Sequence, residues 1–250
     1  VIVGPTLGPP LGGYIVDRFS WPFIFYINIP IGIIAALLTL SFIKSPKYGV
    51  KLKANQVDWL GIFFLSAFIG SLQFVLEHGQ QDDWFNDPVI VTLSVVSFFG
   101  LLFFIWRELT YEHPIVNLRV LKDSNLRIGT IMCFILGFGL YGSTFIIPIY
   151  TQSILGWSAT DAGLLLIPSS ITTGIMMPFI GKMIQKGIPQ TYLVAAGFFV
   201  FFAFTYWMHL VITPDSGEEH MYWPLILRGV GLGLLFVPIT TLSLSTLTGK

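Results

Sequence analysis

Gly4-Pro5-Thr6-Leu7-Gly8-Pro9-Pro10-Leu11-Gly12-Gly13 stands almost at the start of the chain. Its glycines at 4, 8 and 12 recur at helical spacing and cut a groove in which a second helix can approach closely. Pro5, Pro9 and Pro10 remove backbone donors and bend the helix, which a membrane protein tolerates when neighbours or water satisfy the freed carbonyls. A single Gly-xxx-Gly is explained by packing alone. The doubled Gly-Pro followed by Gly-Gly is far rarer.

The surrounding composition agrees with a membrane setting. Of 250 residues, 54% are hydrophobic, 16% aromatic and 10% charged, and the mean hydropathy is +0.78. Soluble domains carry about 25% charged residues, so too little polar surface is available to cover a water-soluble fold of this size. Thirteen basic residues balance thirteen acidic ones, which removes the basic excess of a nucleic-acid binder. The lone Cys133 excludes an intrachain disulfide, and no Cys/His cluster has zinc-ligand spacing. Val1 already lies in an apolar run with no initiating Met and no visible signal peptide, so the chain reads as an internal piece of something longer.

Eight apolar stretches approach the roughly 20 helical residues that a hydrocarbon core requires. They run from Val1 to Val16, Pro22 to Ile43, Trp59 to Leu76, Pro88 to Trp106, Ile128 to Tyr150, Ala162 to Gly181, Thr191 to Ile212 and Pro224 to Leu247. Spanning strands would be about half as long and alternate in polarity. These runs are apolar on every face, so the fold class is an all-α membrane protein.

If the helices alternate, Lys44, Lys47, Lys51, Lys53, Arg107, Arg119, Lys122, Arg127, Lys182, Lys186 and Lys250 all fall on one side. The opposite side holds acidic residues and, among basic ones, Arg18 alone. The Lys-rich loops and Lys250 are therefore expected to be cytoplasmic. Of the two longer cytoplasmic connections, Lys44 to Asp58 is polar and contains Pro46 and Gly49. Arg107 to Arg127 interleaves Ile115, Val116, Leu118, Val120 and Leu121 with charges, which suits either a short helix on the membrane surface or a solvated loop pinned by apolar contacts.

Gly8-Pro9-Pro10-Leu11-Gly12-Gly13-Tyr14-Ile15 and the following Trp21-Pro22-Phe23-Ile24-Phe25-Tyr26-Ile27-Asn28-Ile29-Pro30-Ile31-Gly32 resemble the antiporter motif and next helix of the EmrB/QacA-type drug:proton antiporters. These form the fourteen-helix branch of the major facilitator superfamily. Collinear matches follow at Gly70-Ser71-Leu72-Gln73, Asp83-Trp84-Phe85, His113-Pro114-Ile115-Val116-Asn117-Leu118, Ala162-Gly163-Leu164 and Pro238-Ile239-Thr240-Thr241. On that likeness the eight segments correspond to helices five to twelve. Residues 1–43 would end the amino-terminal six-helix half. Residues 44–125 would hold the cytoplasmic linker, the extra central helix pair and an interfacial segment, and residues 126–250 would open the carboxy-terminal half.

The internal repeat of such transporters implies two further likenesses. Gly181-Lys182-Met183-Ile184-Gln185-Lys186-Gly187 resembles the Gly- and basic-rich cytoplasmic turn between helices two and three, without its usual Asp. Arg228-Gly229-Val230-Gly231-Leu232-Gly233 resembles the Arg-and-Gly motif of helix four. Arg228 is also the one formal charge inside the eight runs, at an insertion cost of about 2.5–3.5 kcal/mol for a helix centre. It either faces a cavity, drawing an anionic or polar part of a substrate, or snorkels past nearby Pro224 to the interface. Asp17 and Asp161 lie at helix ends, where solvent exposure accounts for them.

Phe138, Tyr141 and Phe145 form a stripe on the fifth segment, and Thr144 and Gln152 place polar groups toward its external half. These are candidate cavity residues because the repeat relates this segment to helix one, which lines the central cavity in the superfamily. Asn28 and Gln73 are further candidates that also suit bonding within or between helices. His78, His113, His209 and His220 are scattered, and neither a Gly-x-Ser-x-Gly elbow nor a nucleotide-binding Gly-rich loop is present. Neither an enzyme nor an ATP-driven pump is expected.

The resemblance implies a secondary active transporter in a bacterial inner membrane, needing no cofactor and drawing on the proton gradient. It implies multidrug efflux of small amphipathic molecules by alternating access, with a periplasmic adaptor and an outer-membrane channel as possible partners beside the lipid bilayer. Export of another organic metabolite, or a non-transporting sensor or scaffold of transporter ancestry, are the alternatives.

Overall fold

A computed structural model describes residues 3–42, 57–112 and 114–244. Lys44, Lys47, Lys51, Lys53, His113 and Lys250 lie outside the described residues. Every regular element in the described residues is helical: α1 (Val3–Arg18), α2 (Phe23–Tyr26), α3 (Asn28–Phe42), α4 (Trp59–His78), α5 (Pro88–Thr110), α6 (Ser124–Ser153), α7 (Ala159–Leu164), α8 (Ile167–Gln185), α9 (Gln190–Val211) and α10 (Glu218–Leu244). Among the described residues, seven stretches are long and apolar enough to cross a membrane, with α2–α3 and α7–α8 each counted together. The eighth expected run, Val1 to Val16, falls on α1, of which 16 residues are described.

The chain divides into two compact units, residues 1–44 with 123–250, and residues 45–122. In the second, α4 and α5 pack side by side. Asp58 caps α4 by accepting the Gly61 N–H at 3.0 Å and pairs with Arg107 Nε at 3.1 Å, and the Arg107 guanidinium lies 3.9 Å from the Tyr111 ring centre. Among the described residues beyond α5, the expected surface segment forms no α-helix. A 3-10 turn, Leu118–Lys122, is pinned instead by the Val116 N–H donating to the buried Glu108 Oε2 at 3.0 Å and by Arg119 Nη2 donating to Leu109 O at 2.7 Å.

In the first unit, α10 packs against α6, α8 and α9, and α1 against α7 and α8. Half of the apolar stretch of α10 is buried. Two apolar clusters share that helix: Met221 and Leu225 join Ile147, Leu165, Leu166, Phe204 and Met208, whereas Leu232, Leu235 and Ile239 join Leu136 and Val194. Arg228 lies between the two clusters along α10.

The glycines after Arg228 let α10 approach its neighbours. A Cβ on Gly229 would sit 2.4 Å from the Ser169 carbonyl oxygen of α8, and one on Gly231 would sit 3.1 Å from the Phe201 amide of α9. Between α8 and α9 the chain reverses at Gly187, whose φ of +85° suits glycine. The Gly187 and Ile188 N–H groups donate to Ile184 O and Met183 O, closing the end of α8 in a Schellman arrangement. Lys182 and Lys186 are exposed beside it, and nothing lies within 4 Å of a Cβ on Gly181.

Candidate functional site

The antiporter-motif glycines are used in a different register from the one their spacing suggested. Gly4 and Pro5 fall in the first turn of α1. Cβ atoms on Gly8 and Gly12 would meet nothing within 4 Å, whereas one on Gly13 would lie 2.2 Å from the Ala159 carbonyl oxygen. Gly163 answers from α7, where a Cβ would lie 2.5 Å from Pro9 O. The close crossing is thus Gly13 and Pro9 against Ala159 and Gly163. The groove at 8 and 12 is unfilled by the described residues.

The same crossing is fastened at the end of α1. Asp17 Oδ2 accepts the Thr160 N–H at 2.8 Å and the Thr160 hydroxyl at 2.5 Å, and these bonds hold the Asp17 carboxyl below its ordinary pKa range. Asp161, by contrast, is tied to the local N-cap of α7: the Asp161 N–H donates to Ser158 Oγ, and that hydroxyl donates to Asp161 Oδ2.

Behind this crossing lies a cavity of about 160 Å³. Pro9 of α1 reaches it, as do Leu140 and Thr144 of α6, Leu166 after α7, Ser169, Ser170, Thr173 and Met177 of α8, and Arg228, Leu232 and Phe236 of α10. Its apolar lining comes from Pro9, Leu140, Leu166, Met177, Leu232 and Phe236, and its polar lining from Arg228 and the hydroxyl residues Thr144, Ser169, Ser170 and Thr173. A space of about 150 Å³ holds a benzene-sized molecule.

Arg228 does not snorkel. Pro224 lies inside α10, which begins at Glu218, so Arg228 stands roughly 15 Å along the helix at 1.5 Å per residue. It is 4% exposed. Nε donates to Ser143 Oγ at 2.9 Å, Nη1 to Ser169 Oγ at 3.0 Å, and Nη2 to Thr144 Oγ1 at 2.6 Å and Leu140 O at 3.3 Å. The hydroxyls are oriented in turn: Ser143 donates to Gly139 O and Thr144 to Leu140 O within α6. Every partner among the described residues is neutral.

The other sequence candidates separate. Thr144 joins Arg228 in the cavity. Phe138, Tyr141 and Phe145 are 79%, 64% and 64% exposed and point away from it. The stripe that faces inward on α6 is Leu140, Ser143, Thr144 and Ile147, offset around the helix from the aromatic one. Gln152 and Gln73 are exposed, and Asn28 donates to Ile24 O at 3.3 Å as a local bond between α2 and α3. Ser143 and Ser169 escaped the sequence reading. The available signal was the recurrence of hydroxyls at 143–144 and 169–173 within apolar runs.

A bundle of apolar helices enclosing a small cavity with apolar and polar lining is the architecture of a membrane carrier. Residues 1–249 match the Major Facilitator Superfamily model, and the chain belongs to that superfamily. It is similar to the Multidrug export protein EmrB of Escherichia coli (strain K12), with 36% identity over 248 residues covering 99% of this chain and 48% of that protein. It is also similar to the Fatty acid resistance protein FarB of Neisseria gonorrhoeae, with 37% identity over 250 residues covering 100% and 48%. The Colistin resistance protein EmrB of Acinetobacter baumannii shares 28% over 249 residues, covering 98% and 47%. The chain spans about half the length of these relatives. The expected likeness to EmrB-type exporters stands, and the chain is part of a multi-pass membrane protein of a transporter family.

Proposed function

We propose that the full-length protein is a secondary active transporter of a bacterial cytoplasmic membrane that exports amphipathic organic compounds, exchanging them for protons by alternating access. The observation that carries this reading is the cavity among α1, α6, α8 and α10, lined by aliphatic side chains and Phe236 together with hydroxyls and Arg228. Such a lining suits molecules with an apolar body and few polar groups, because a hydroxyl-rich sugar would leave buried hydrogen-bonding groups unpaired. The names of these relatives, which concern multidrug export and resistance to fatty acid and to colistin, support the same direction.

Alternating access requires a helix contact that closes well and opens cheaply. The α1–α7 crossing meets both needs, since small residues bring the backbones together and the Asp17–Thr160 hydrogen bonds fasten an exposed end. The connections carrying Arg107, Arg119, Lys122, Arg127, Lys182 and Lys186 are assigned to the cytoplasmic side. On the opposite side, exposed Phe85 in one loop and Trp223 beside another suit anchoring at the headgroups, and an adaptor leading to an outer-membrane channel would dock on these loops.

The test is reconstitution of the full-length protein in proteoliposomes with an imposed pH gradient and a lipophilic fluorescent compound. Gradient-dependent movement that collapses with a protonophore is the expected result. Binding without movement would leave a sensor, and uptake of a sugar with no movement of amphipathic compounds would overturn the assignment.

A further inference from the structure

The α5 helix has 23 residues, roughly 35 Å at 1.5 Å per residue, against roughly 30 Å for a hydrocarbon core. The segment after it therefore starts at headgroup depth. It does not leave for water. The Val116 N–H donates to Glu108 Oε2 at 3.0 Å and Arg119 Nη2 donates to Leu109 O at 2.7 Å, which folds the segment back onto the last turns of α5 within one compact unit. Ile115, Val116 and Val120 are exposed on it, as is Trp106 one turn before the end of α5, where an aromatic side chain suits the membrane interface.

The turn Leu118–Lys122 has the three residues per turn of a 3-10 helix, which sets side chains at i and i+3 in line. Leu118 and Leu121 share one row and are half-buried, whereas Arg119 and Lys122 share the next and are exposed. An α-helical turn would splay the two cations by about 60°. Neither has an ion-pair partner among the described residues. Arg119 gives one N–H to Leu109 O out of the five that a guanidinium carries, and the adjoining acid, Asp123, accepts the Leu126 N–H as the cap of α6.

We infer that this row of two cations binds the phosphate of an anionic phospholipid, whose acyl chains lie beside the exposed apolar side chains of the same segment. A phosphatidylcholine headgroup brings its own cation and gains less from Arg119 and Lys122. Soluble phosphate lacks the chains, so Ile115, Val116 and Val120 add nothing to its binding. The site needs the bilayer and no transport step.

The experiment attaches an NBD fluorophore at Val120→Cys in the full-length protein, with Cys133 and any other cysteine changed to serine. The protein is placed in phosphatidylcholine nanodiscs with a minor share of phosphatidylglycerol or phosphatidylcholine that carries a nitroxide on its acyl chain. Quenching should report phosphatidylglycerol enriched at least about fivefold over phosphatidylcholine, the worth of one basic side chain at an anionic surface. Arg119→Lys should keep most of that enrichment. Lys122→Gln, which breaks no ion pair, should cut it, and combined with Arg119→Gln it should leave the two lipids within about twofold. If Arg119→Gln disorders the segment, Lys122→Gln alone carries the test. The same label at exposed Phe85→Cys, beside Asp82, Asp83 and Asp87 at the other end of the α4–α5 pair, should show no enrichment, and excess inorganic phosphate should leave the Val120 signal unchanged. Equal quenching by the two lipids in the wild-type sequence, an enrichment that Lys122→Gln leaves intact, or the same enrichment at Phe85 would overturn the inference. Displacement by inorganic phosphate would overturn it too, in favour of a soluble anion. Loss of gradient-driven movement with the lipid preference kept would sink the transport reading alone.

Discussion

Asp17, at the last turn of α1, accepts both the backbone N–H and the hydroxyl of Thr160, at the first turn of α7. One carboxylate therefore caps a helix that begins far along the chain and ties its end to another helix. The bond lies one turn from the Gly13–Ala159 crossing. Fastening and close packing thus act on the same pair of elements.

The fastening should be insensitive to pH over the neutral range. Hydrogen bonds from Thr160 depress the Asp17 pKa, so the stabilisation is fully present above the unfolded value of about 3.9. It is lost as pH falls through the lower folded value. In a Cys133→Ser background, spin labels at exposed Phe19 and Ile154 should report one distance from about pH 8 to pH 5, broadening only below about pH 4. Asp17→Asn should weaken the fastening at neutral pH. A midpoint near pH 6 would assign the contact to another group.

Gly13 and Gly8 should respond differently to the same added methyl. At Gly13 the new Cβ meets the Ala159 backbone at 2.2 Å, while at Gly8 it meets nothing within 4 Å. Gly13→Ala should cost about 1–3 kcal/mol, the range for overpacking, seen as a lower Tm in detergent. Gly8→Ala should stay within about 0.5 kcal/mol. Equal effects at the two positions would refute the register of the crossing.

The two faces of α6 offer a matched comparison. Ser143→Ala removes the acceptor of Arg228 Nε and should cost about 1–3 kcal/mol by leaving a buried charged donor unpaired. Phe138→Ala changes a side chain that is 79% exposed and should cost far less, although far more atoms are deleted. Thermal unfolding followed by tryptophan fluorescence decides between them. A larger loss for Phe138→Ala would return the aromatic stripe to the core.

Asp58→Ala removes a helix cap and a buried ion-pair partner together. A buried pair broken from one side costs about 3–5 kcal/mol, and the value here should fall at or below the lower end because the Arg107 side chain is 24% exposed. Arg107→Lys should be milder, since it keeps the charge while losing the stacking on Tyr111. Limited proteolysis between α4 and α5 should accelerate in the order wild type, Arg107→Lys, Asp58→Ala.

The fold was legible because hydropathy in a membrane chain is a length measurement, and the Trp59, Pro88 and Gln190 helices begin within a residue of their apolar runs. It was less legible wherever polar residues continue a helix. The α10 helix starts at Glu218 rather than Pro224, and those six added positions decide the open choice between cavity and interface at Arg228 in favour of the interior. Helical spacing also could not say which face turns inward. An aromatic stripe and a hydroxyl stripe lie on the same helix, and the arginine of another helix selects the second. Likewise, glycine spacing marked 4, 8 and 12 as a groove, but contact depends on where a partner backbone passes, and that is set by Ala159 and Gly163.

The partners of Arg228 also have an order in time. Ser143, Thr144 and Ser169 lie on α6 and α8, so synthesis from the amino terminus completes them before α10 emerges. The costly charge therefore enters a bilayer in which its hydroxyl collar is already waiting. A circular permutation that made α10 first would keep every contact of the finished structure and yet ask the insertion machinery to admit an unaccompanied arginine.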